Sequence, residues 1–575
     1  MNDDLNSEQP AGAVAGETLE QVGAGTPAAV PPGTTPATPP APAAPPETPK
    51  PKTETSTGRS AFFVGSGILI SRIVGLIRQR IFAHYFGSSG EGDAFSAAFR
   101  IPNFLQNVFG EGALSASFIP VYAKLLAQED EEQAGRVANA IFGILALVTS
   151  IIVLLGVLTT PYIVTAIAAG FEAERRDLTI TLVRIFFPGA GLLVLSAWCL
   201  GVLNSHHRFF ISYTAPVAWN AAIIFALIFF GNRLDLPHLA EATAWGSVVG
   251  SALQFGVQLP TVLRLIHSFR PALALASEHV KQVLRSFFPV FISRGVVQIS
   301  AFVDAFLASF LGEGAVVALN YAQSLYTLPV SLFGMSVSAA ELPAMSKSLG
   351  AAEVVAETLR KRLDQGLNRI SFFIVPSAVA LLTLGDVIAA VLYQTGKFTR
   401  NDSIYVWIIL AGASVGLLAS TLGRLYSSTY YALRDTRTPL LFAVVRVALT
   451  TVLGYVFAIH APRWFGVEQR LGVAGLMISS SIAGWVEYAL LRRTLNARIG
   501  HTGLAPSYLA KLFLAAFAGA AVAWGLKLLV PTWHPVPLAI VVLGGYGTTY
   551  FGMGYLFGLN QATTIIGRIF RLHRK

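Results

Sequence analysis

The stretch VANAIFGILALVTSIIVLLGVLTT, residues 137–160, runs for 24 residues without a charged side chain. An α-helix rises 1.5 Å per residue and needs about 20 apolar residues to cross the hydrocarbon core of a bilayer. The stretch is also continuous, without the alternation of apolar and polar residues that is typical of a membrane β-strand. It therefore predicts a transmembrane α-helix.

Similar stretches follow one another along most of the chain, separated by short breaks such as GSSGEG at 87–92 and QEDEE at 128–132. The predicted fold class is an all-α integral membrane protein with about fourteen transmembrane helices. The predicted spans are 60–86, 93–125, 137–160, 178–203, 212–231, 240–266, 282–311, 315–346, 367–393, 403–432, 438–460, 471–496, 507–530 and 536–559.

The composition excludes several other classes of protein. Of the 575 residues, 54% are hydrophobic and only 13% are charged, and the mean hydropathy is +0.60. Soluble proteins carry about 25% charged residues, so a soluble enzyme, a disordered scaffold and a nucleic-acid-binding protein are all disfavoured. The single cysteine, Cys199, excludes an internal disulfide framework and a Cys-rich metal site.

The first 58 residues differ from the rest. They hold 12 of the 30 prolines and almost no large apolar residues, so they cannot bury enough surface to offset the entropy cost of ordering. We predict a disordered Pro/Ala/Thr-rich cytoplasmic tail at 1–58. No basic segment followed by an apolar core opens the sequence, so we expect no cleavable signal peptide, and the first span should target and anchor the chain.

The distribution of Lys and Arg predicts the orientation. If the N-terminus is inside, the inner connections and the C-terminal tail hold 22 of these residues and the outer connections hold 8. Cytoplasmic loops carry the excess of positive charge in membrane proteins. We therefore predict a multi-pass protein of the bacterial plasma (inner) membrane with both termini in the cytoplasm, and interpret most of the net charge of +10 as a topology signal.

Charges inside the predicted spans are costly and usually face a bundle interior or an aqueous cavity. The first span contains Arg72, Arg78 and Arg80. For Arg78 and Arg80, a cavity role and snorkelling to the membrane surface are equally plausible. Arg72 lies deeper, and we predict that it faces a cavity.

The second span opens with Asp93 and contains Arg100 and Glu111. Asp93 is favoured as the N-cap of its own helix. Glu111 is expected to pair with an arginine. Pro102, Gly110 and Gly112 suit a helix that bends or lines a cavity.

The seventh span contains Arg294 near its middle, where snorkelling is difficult, so we predict a functional role for it. Asp304, further along the same span, is either its structural counter-charge or part of a cation site. Structural ion pairing is the favoured interpretation for five further charged residues in or near spans: Arg184, Glu341, Arg424, Arg446 and Glu487.

The cationic spans indicate an anionic ligand, because the planar guanidinium of arginine makes paired hydrogen bonds to phosphate. The sequence contains no phosphate-binding loop, HExxH motif, nucleophile elbow or CxxC pair. We therefore expect a protein that is not an enzyme and needs no cofactor.

At these residues the chain resembles the MurJ/MviN family of lipid II flippases, within the multidrug/oligosaccharidyl-lipid/polysaccharide exporter superfamily. The resemblance covers about residues 60–560. It is carried by SRIVGLIRQRIFAHYFG (71–87), GDAFSAAFRIPNFLQNVFGEGALSASFIPVYA (92–123), QISAFVDAFLASFL (298–311), LPAMSKS (342–348), PSAVALLTLGDVIAAVLYQTGKFT (376–399) and YYALRDTRTP (430–439).

The resemblance implies two lobes around a central cationic cavity, with an N-lobe at 59–270 (spans 1–6) and a C-lobe at 271–500 (spans 7–12). Residues 501–575 would supply spans 13–14 as a groove for a lipid tail, followed by a basic cytoplasmic C-terminus. It also implies alternating access, which moves the lipid-linked peptidoglycan precursor lipid II to the outer face for cell-wall synthesis.

Some residues of this chain match the family's site residues, and others differ from them. Arg72 and Arg78 match the family's two cavity arginines of the first span, while Asp93 and Glu111 match its second-span acidic residues. Two further cavity arginines of the family fall on Gln106 and Ser324 here. We predict a substrate site of Arg72, Arg78, Asp93 and Glu111, in which Arg294, assisted by Arg100, replaces part of the missing charge.

Two alternatives remain open at this point. The chain could export another polyprenyl-linked oligosaccharide, or it could be a non-transporting membrane scaffold of cell-wall synthesis. Expected partners are lipid II, membrane lipids and other cell-wall synthesis proteins, without nucleic acid. The resemblance makes coupling to membrane potential or monovalent ions plausible, with Asp304 as the candidate cation ligand.

Overall fold

Helices form almost the whole of the described chain, which a computed structural model gives for residues 55–266, 268–346, 352–530 and 533–572. The only β-type pairing within these ranges is an isolated bridge between Thr395 and Phe398. The prediction of an all-α membrane protein is confirmed.

The helices follow one another with short connections. Their bounds are α1 Thr55–Phe86, α2 Gly90–Ala98, α3 Arg100–Leu105, α4 Ser115–Ala127, α5 Glu131–Ala168, α6 Ala173–Ser205, α7 Phe209–Phe230, α8 Leu236–Ile266, α9 Glu278–Ser309, α10 Ala315–Pro329, α11 Ser336–Ser346, α12 Ala352–Tyr393, α13 Arg400–Ala432, α14 Arg437–Tyr455, α15 Ala461–Phe465, α16 Gly472–Ile499, α17 Pro506–Leu529, α18 Pro535–Leu556 and α19 Asn560–Leu572.

Within the described residues, ten helical rods are long and apolar enough to cross a membrane. The other four predicted spans fall on α1, on the rod α2–α4, and on α8 and α9, which are helical but more polar or interrupted. The count of fourteen therefore stays a prediction. Helix α1 already begins at Thr55, four residues before the predicted limit of the tail, and residues 1–54 lie outside the described ranges.

Two groups of helices form the two lobes, which confirms that part of the prediction. In the first lobe α1 packs on α7, α7 on α8, α8 on α6 and α6 on α5. In the second lobe α12 packs on α13, α13 on α16 and α16 on α14. Helices α17 and α18 pack on each other and against α12. The residue limits predicted for the lobes remain predictions.

Helix α9 contacts both lobes. Its first half packs on α4 and α5, where the ring of Phe291 lies 4.9 Å from that of Phe109. An apolar cavity of about 240 Å³ remains between these elements. Its second half approaches α14 and α10 in the other lobe. The connection before α9 is fixed to the first lobe, because Asn139 donates to Ser268 O and accepts from Arg270 N.

Three segments adopt π-helical geometry within longer helical rods: Gln106–Leu114, Val330–Met335 and Val456–His460. A π-helical turn holds one more residue than an α-turn and is frequent at functional sites. The first two interrupt the rods α2–α4 and α10–α11. The predicted bend in the second span therefore takes the form of a π-helical interruption.

Candidate functional site

The two lobes are joined at one end of the bundle, which we term the closed end and define by the connections 87–89, 310–314 and 394–399. Lys397 N donates to His84 O at 2.8 Å, and His84 Nδ1 lies 2.9 Å from Thr395 Oγ1. The hydroxyl of Tyr321 donates to Gly87 O at 3.0 Å. These bonds tie the end of α1 to helices of the other lobe.

Asp93 is the most buried charged residue of the closed end, with no exposed side-chain surface. Its carboxylate accepts hydrogen bonds from Gly314 N at 2.7 Å and Val317 N at 2.8 Å, and Arg175 lies 3.6 Å away. These amides begin α10, where the helix leaves its N–H groups unpaired and favours negative charge. Asp93 therefore caps a helix of the opposite lobe.

The prediction that Asp93 is the N-cap of its own helix is wrong. Ser89 occupies that position and accepts from Gly92 N at 3.2 Å. The sequence alone could not reveal this, because the helix that Asp93 caps begins more than 200 residues later. Gly314 permits the approach, since it has a φ of +80° and a Cβ there would lie 2.5 Å from Ser88 O.

A second acidic residue makes the reciprocal contact. Glu313, just before α10, accepts from Gly90 N at 2.8 Å, at the first residue of α2. Each lobe thus supplies a carboxylate to the start of a helix in the other. Both bonds break if the lobes separate at this end.

Arg80 adds a positive charge to the same junction. Its Nη1 donates to Val391 O at 2.7 Å and to Leu392 O at 2.9 Å, in the last turn of α12. These carbonyls belong to the negative end of the helix dipole. Snorkelling to the membrane surface is therefore the wrong interpretation for Arg80, because its guanidinium is fixed between the lobes.

Arg78 lies one half-turn before Arg80 and faces a different environment. Its guanidinium sits over the rings of Phe99 and Trp219, at 5.0 and 5.4 Å from their centroids. Such cation–π contacts orient the planar group and hold it in place. Snorkelling is wrong for Arg78 as well, since its Nη1 is buried and has no hydrogen-bond partner in the described part of the chain.

A small cavity with both polar and apolar lining residues adjoins Arg78 at the junction of the lobes. It has a volume of about 30 Å³ and is lined by Ser96 of the first lobe and Asn320 of the second, among other residues. Tyr393 of α12 interacts electrostatically with Arg78, and its buried hydroxyl also has no partner among the described residues. Donors from both lobes thus converge beneath the closed end, where an anionic group could accept from them.

Arg72 lies on the same helix about 9 Å further from the closed end, by the 1.5 Å rise of each residue. Its side chain is exposed, in contrast to that of Arg78. The two arginines of α1 therefore differ in exposure: Arg72 is accessible, whereas Arg78 is enclosed between the lobes.

Arg100 and Asp304 form part of a second group of charges. Asp304 is 8% exposed and interacts electrostatically with Arg100 and Arg446, and Arg446 Nη1 lies 3.2 Å from Glu487 Oε2. The described cations near Asp304 are thus Arg100 and Arg446, and its predicted role as the counter-charge of Arg294 stays a prediction. No group of three or more His, Cys, Asp or Glu that could hold a metal ion occurs in the described ranges.

Two predicted site residues have side chains outside the described set. Arg294 lies on α9 and Glu111 on the π-helical segment Gln106–Leu114, but their side-chain contacts are not described. At the two positions that depart from the family pattern, Gln106 opens that π-helical segment, and Ser324 Oγ donates within its own helix to Asn320 O at 2.9 Å.

Sequence reasoning missed several residues of this region: Arg175, Trp219, Glu313, Asn320 and Tyr393. Only Tyr393 lies in a stretch that carried the family resemblance. The others are single polar or aromatic residues whose meaning depends on a partner from a distant helix. A polar residue inside an apolar span, such as Asn320, is the one signal that could have identified them.

Two lobes of membrane-length helices that meet over enclosed arginines define a multi-pass membrane transporter. A family model described as "Lipid II flippase MurJ" matches residues 82–544. The chain belongs to this family.

Individual relatives and solved structures agree. A lipid II flippase MurJ from Burkholderia cenocepacia is 32% identical over 446 residues, which cover 76% of this chain and 84% of the relative. A probable lipid II flippase MurJ from Rhizobium tropici is 34% identical over 76% of this chain and 80% of its own length.

A solved structure of lipid II flippase MurJ in an inward closed conformation is similar with a TM-score of 0.72 and 25% identity, over 86% of this chain and 98% of that one. An inward-facing MATE-family multidrug transporter has a TM-score of 0.58 and 17% identity, over 74% and 98% of the two chains, and shows likeness of fold alone.

Proposed function

We propose that this chain moves lipid II from the cytoplasmic to the outer face of the plasma membrane, without covalent change, for cell-wall synthesis. The observation that carries the proposal is the pair of arginines on α1, one exposed and one enclosed beneath interlobe hydrogen bonds, in a chain of the MurJ family. Lipid II carries a pyrophosphate, and arginine is suited to bind it.

The charge bias of the connections supports an orientation in which the closed end faces outward. The connections of the closed end are then external, and both termini are cytoplasmic. Among the described residues, every hydrogen bond between α1 and the second lobe involves the closed end. These hydrogen bonds support a state that is closed to the outside, in which Arg72, further from the closed end, is exposed.

Transport then follows from the placement of the charges. The pyrophosphate binds first to the exposed Arg72 and next approaches Arg78, which its aromatic neighbours hold in position. Binding between the lobes satisfies donors of both, including Tyr393 and Asn320. Separation of the closed end breaks the bonds of Asp93, Glu313 and Arg80, and it opens the site to the outer face, as alternating access requires.

Complementation tests this function. Cells depleted of their own flippase should grow when they express the chain, and lipid II should become accessible to an external probe. The double variant Arg72→Ala, Arg78→Ala should reach the membrane at the parent level but restore neither growth nor lipid II exposure. Growth rescue by that double variant would show that the two arginines are not required, whereas failure of the parent chain to restore export would support a non-transporting scaffold.

The residues at two family positions favour a second candidate. Gln106 and Ser324 replace expected cavity arginines, so the headgroup site carries less positive charge than the family pattern implies. A different polyprenyl-linked oligosaccharide is therefore the alternative substrate. Competition between lipid II and other polyprenyl-linked oligosaccharides for binding to the purified chain distinguishes the two.

The energy source is proposed to be the membrane potential or a monovalent ion gradient. Export measured in vesicles with an imposed potential, and then with sodium or potassium gradients, tests each source in turn. An Asp304→Asn variant that retains its ion dependence would exclude Asp304 as the cation ligand.

A further inference from the structure

Helix α13 is largely buried within the second lobe, and the accessible side chains of its first half include the apolar Ile408 and Val415. Beyond the helix midpoint the accessible residues are Ser420, Arg424, Ser427 and Tyr431, at spacings of four, three and four, together with the terminal Ala432. At 100° per residue these four positions fall within about 60° of one another. The residues between them are buried. We term these four residues the α13 stripe.

The chemistry of the stripe shows what it faces. A lipid-facing surface is apolar, whereas all four residues of the stripe are polar or charged. The hydroxyls of Ser420 and Tyr326 lie 2.7 Å apart, which places the stripe opposite α10. The stripe therefore presents polar groups beside α10, and it ends near Ala432, at the end of the bundle opposite the closed end.

Arg424 is the charged residue of the stripe, and it departs from our expectation of structural pairing. That expectation is correct for Arg446 and Glu487, which lie 3.2 Å apart, and for Glu341, which lies 3.5 Å from Arg362. In the described part of the chain, no hydrogen bond or ion pair engages the guanidinium of Arg424. It interacts electrostatically with Tyr326, Arg446 and Glu487 only at longer range.

The described charged residues around Arg424 carry a net positive charge. Arg100, Arg424 and Arg446 contribute three positive charges, while Asp304 and Glu487 contribute two negative ones. Asp304 lies between Arg100 and Arg446, and Glu487 pairs with Arg446. Among the described side chains, Arg424 therefore remains as an accessible cation that has Glu487 at longer range but no ion pair of its own. A cation held inside a bundle is stabilised when an anionic ligand supplies the missing charge.

We propose that Arg424 binds the phosphate-bearing headgroup of the substrate on the cytoplasmic side of the second lobe, before the headgroup reaches Arg78. The inference rests on the proposed function and adds a binding residue to it. The α13 stripe guides the anionic group from the cytoplasmic end, and Ser427 offers a further hydroxyl about one turn beyond Arg424.

The test compares two probes on the purified full-length chain in nanodiscs: an undecaprenyl pyrophosphate and the corresponding uncharged polyprenol. The parent should bind the pyrophosphate more tightly. Arg424→Gln, which keeps the length of the side chain, should weaken pyrophosphate binding roughly tenfold and leave polyprenol binding unchanged. Arg424→Lys should retain part of the preference, because the charge remains but the planar fork is lost.

Arg493→Ala is the matched control, since Arg493 is an exposed arginine on α16 near the same end of the bundle but outside the stripe. It should bind both probes as the parent does. Equal loss of both probes in Arg424→Gln would indicate a structural role and overturn the proposal, as would unchanged binding of both.

The same series separates this inference from the proposed function. A parent that fails to restore lipid II export in depleted cells refutes the proposed function. A parent that restores export, together with an Arg424→Gln variant that keeps the full preference for pyrophosphate, refutes only the role of Arg424.

Discussion

The closed end and the α13 stripe use charged residues in opposite ways. At the closed end, Asp93, Glu313 and Arg80 each bond to backbone groups of the other lobe. On the stripe, Arg424 is accessible and has no such partner in the described part of the chain. A charge that is fully satisfied holds the protein in one state, whereas an unsatisfied charge is available to a ligand.

Substitution of Asp93 should have the largest effect, because it removes the carboxylate that joins the lobes at the closed end. In Asp93→Asn, the side-chain amide has one neutral acceptor oxygen in place of the two charged oxygens that accept from Gly314 N and Val317 N. A buried N–H left without a partner costs about 1–3 kcal/mol. We expect export to be lost and the closed end to open more often. A thiol placed by Ser88→Cys should react faster in the Asp93→Asn background, because the Ser88 hydroxyl is buried in the closed state.

Glu91→Gln provides the control for this experiment, since Glu91 is another acidic residue of the first turn of α2. The native Cys199 is fully buried and should contribute little background labelling. An unchanged labelling rate in Asp93→Asn would show that the carboxylate does not hold the closed end together.

Arg78→Lys tests whether the substrate site needs the guanidinium group of Arg78 or only its positive charge. A lysine retains the charge but lacks the planar guanidinium that lies near the rings of Phe99 and Trp219 and that can present two parallel donors to a phosphate. We expect a loss of export on the order of tenfold, with little change in thermal stability, when lipid II exposure is measured in complemented cells. Arg78→Lys with parental export would mean that charge alone, without the guanidinium geometry, is sufficient.

Arg80→Ala should have a smaller effect than Asp93→Asn, although both residues join the lobes. It removes one donor shared by two carbonyls at the end of α12, and those carbonyls can be hydrated when the closed end opens. We expect partial export and a modest rise in labelling of Ser88→Cys. If Arg80→Ala matched Asp93→Asn in both measurements, the carboxylate would not be the dominant contact.

The smallest effect concerns Asp435, which lies in the connection between α13 and α14, four residues beyond the last residue of the α13 stripe. Hydrogen bonds from Thr438 N and Oγ1, and an ion pair with Arg498, lower the pKa of this carboxyl to about 2. A depressed pKa contributes stability above the unfolded value of about 3.9, and that contribution is lost as pH falls through about 2.

Asp435→Asn should therefore destabilise the protein by on the order of 1 kcal/mol at neutral pH, since Arg498 is partly exposed and its ion pair is screened. Thermal unfolding in detergent at successive pH values measures the difference from the parent. The difference should shrink below about pH 4. A difference that stays constant down to pH 2 would show that the carboxylate charge is not its source.

The sequence predicted the class of fold well, because apolar length and charge bias are local properties of the chain. It singled out Arg72 for the same reason, as a cation within an apolar helix, whereas Arg78 entered the predicted site through the family resemblance. It misjudged Asp93 and Arg424 and left Arg80 open between two interpretations, because the roles of all three depend on whether a partner from a distant helix reaches them. Asp93 and Arg80 find backbone groups across the lobes, and Arg424 is left without the expected acid.

The π-helical segments Gln106–Leu114 and Val330–Met335 have a mechanical consequence for these contacts. They interrupt the two rods whose first residues Asp93 joins at the closed end. If a π-turn passes its extra residue along the helix, only the segment between its old and new positions rotates, by about 100° about the helix axis. A segment of each rod can thus rotate while both ends of the rod stay fixed, and so change which side chains line the cavity.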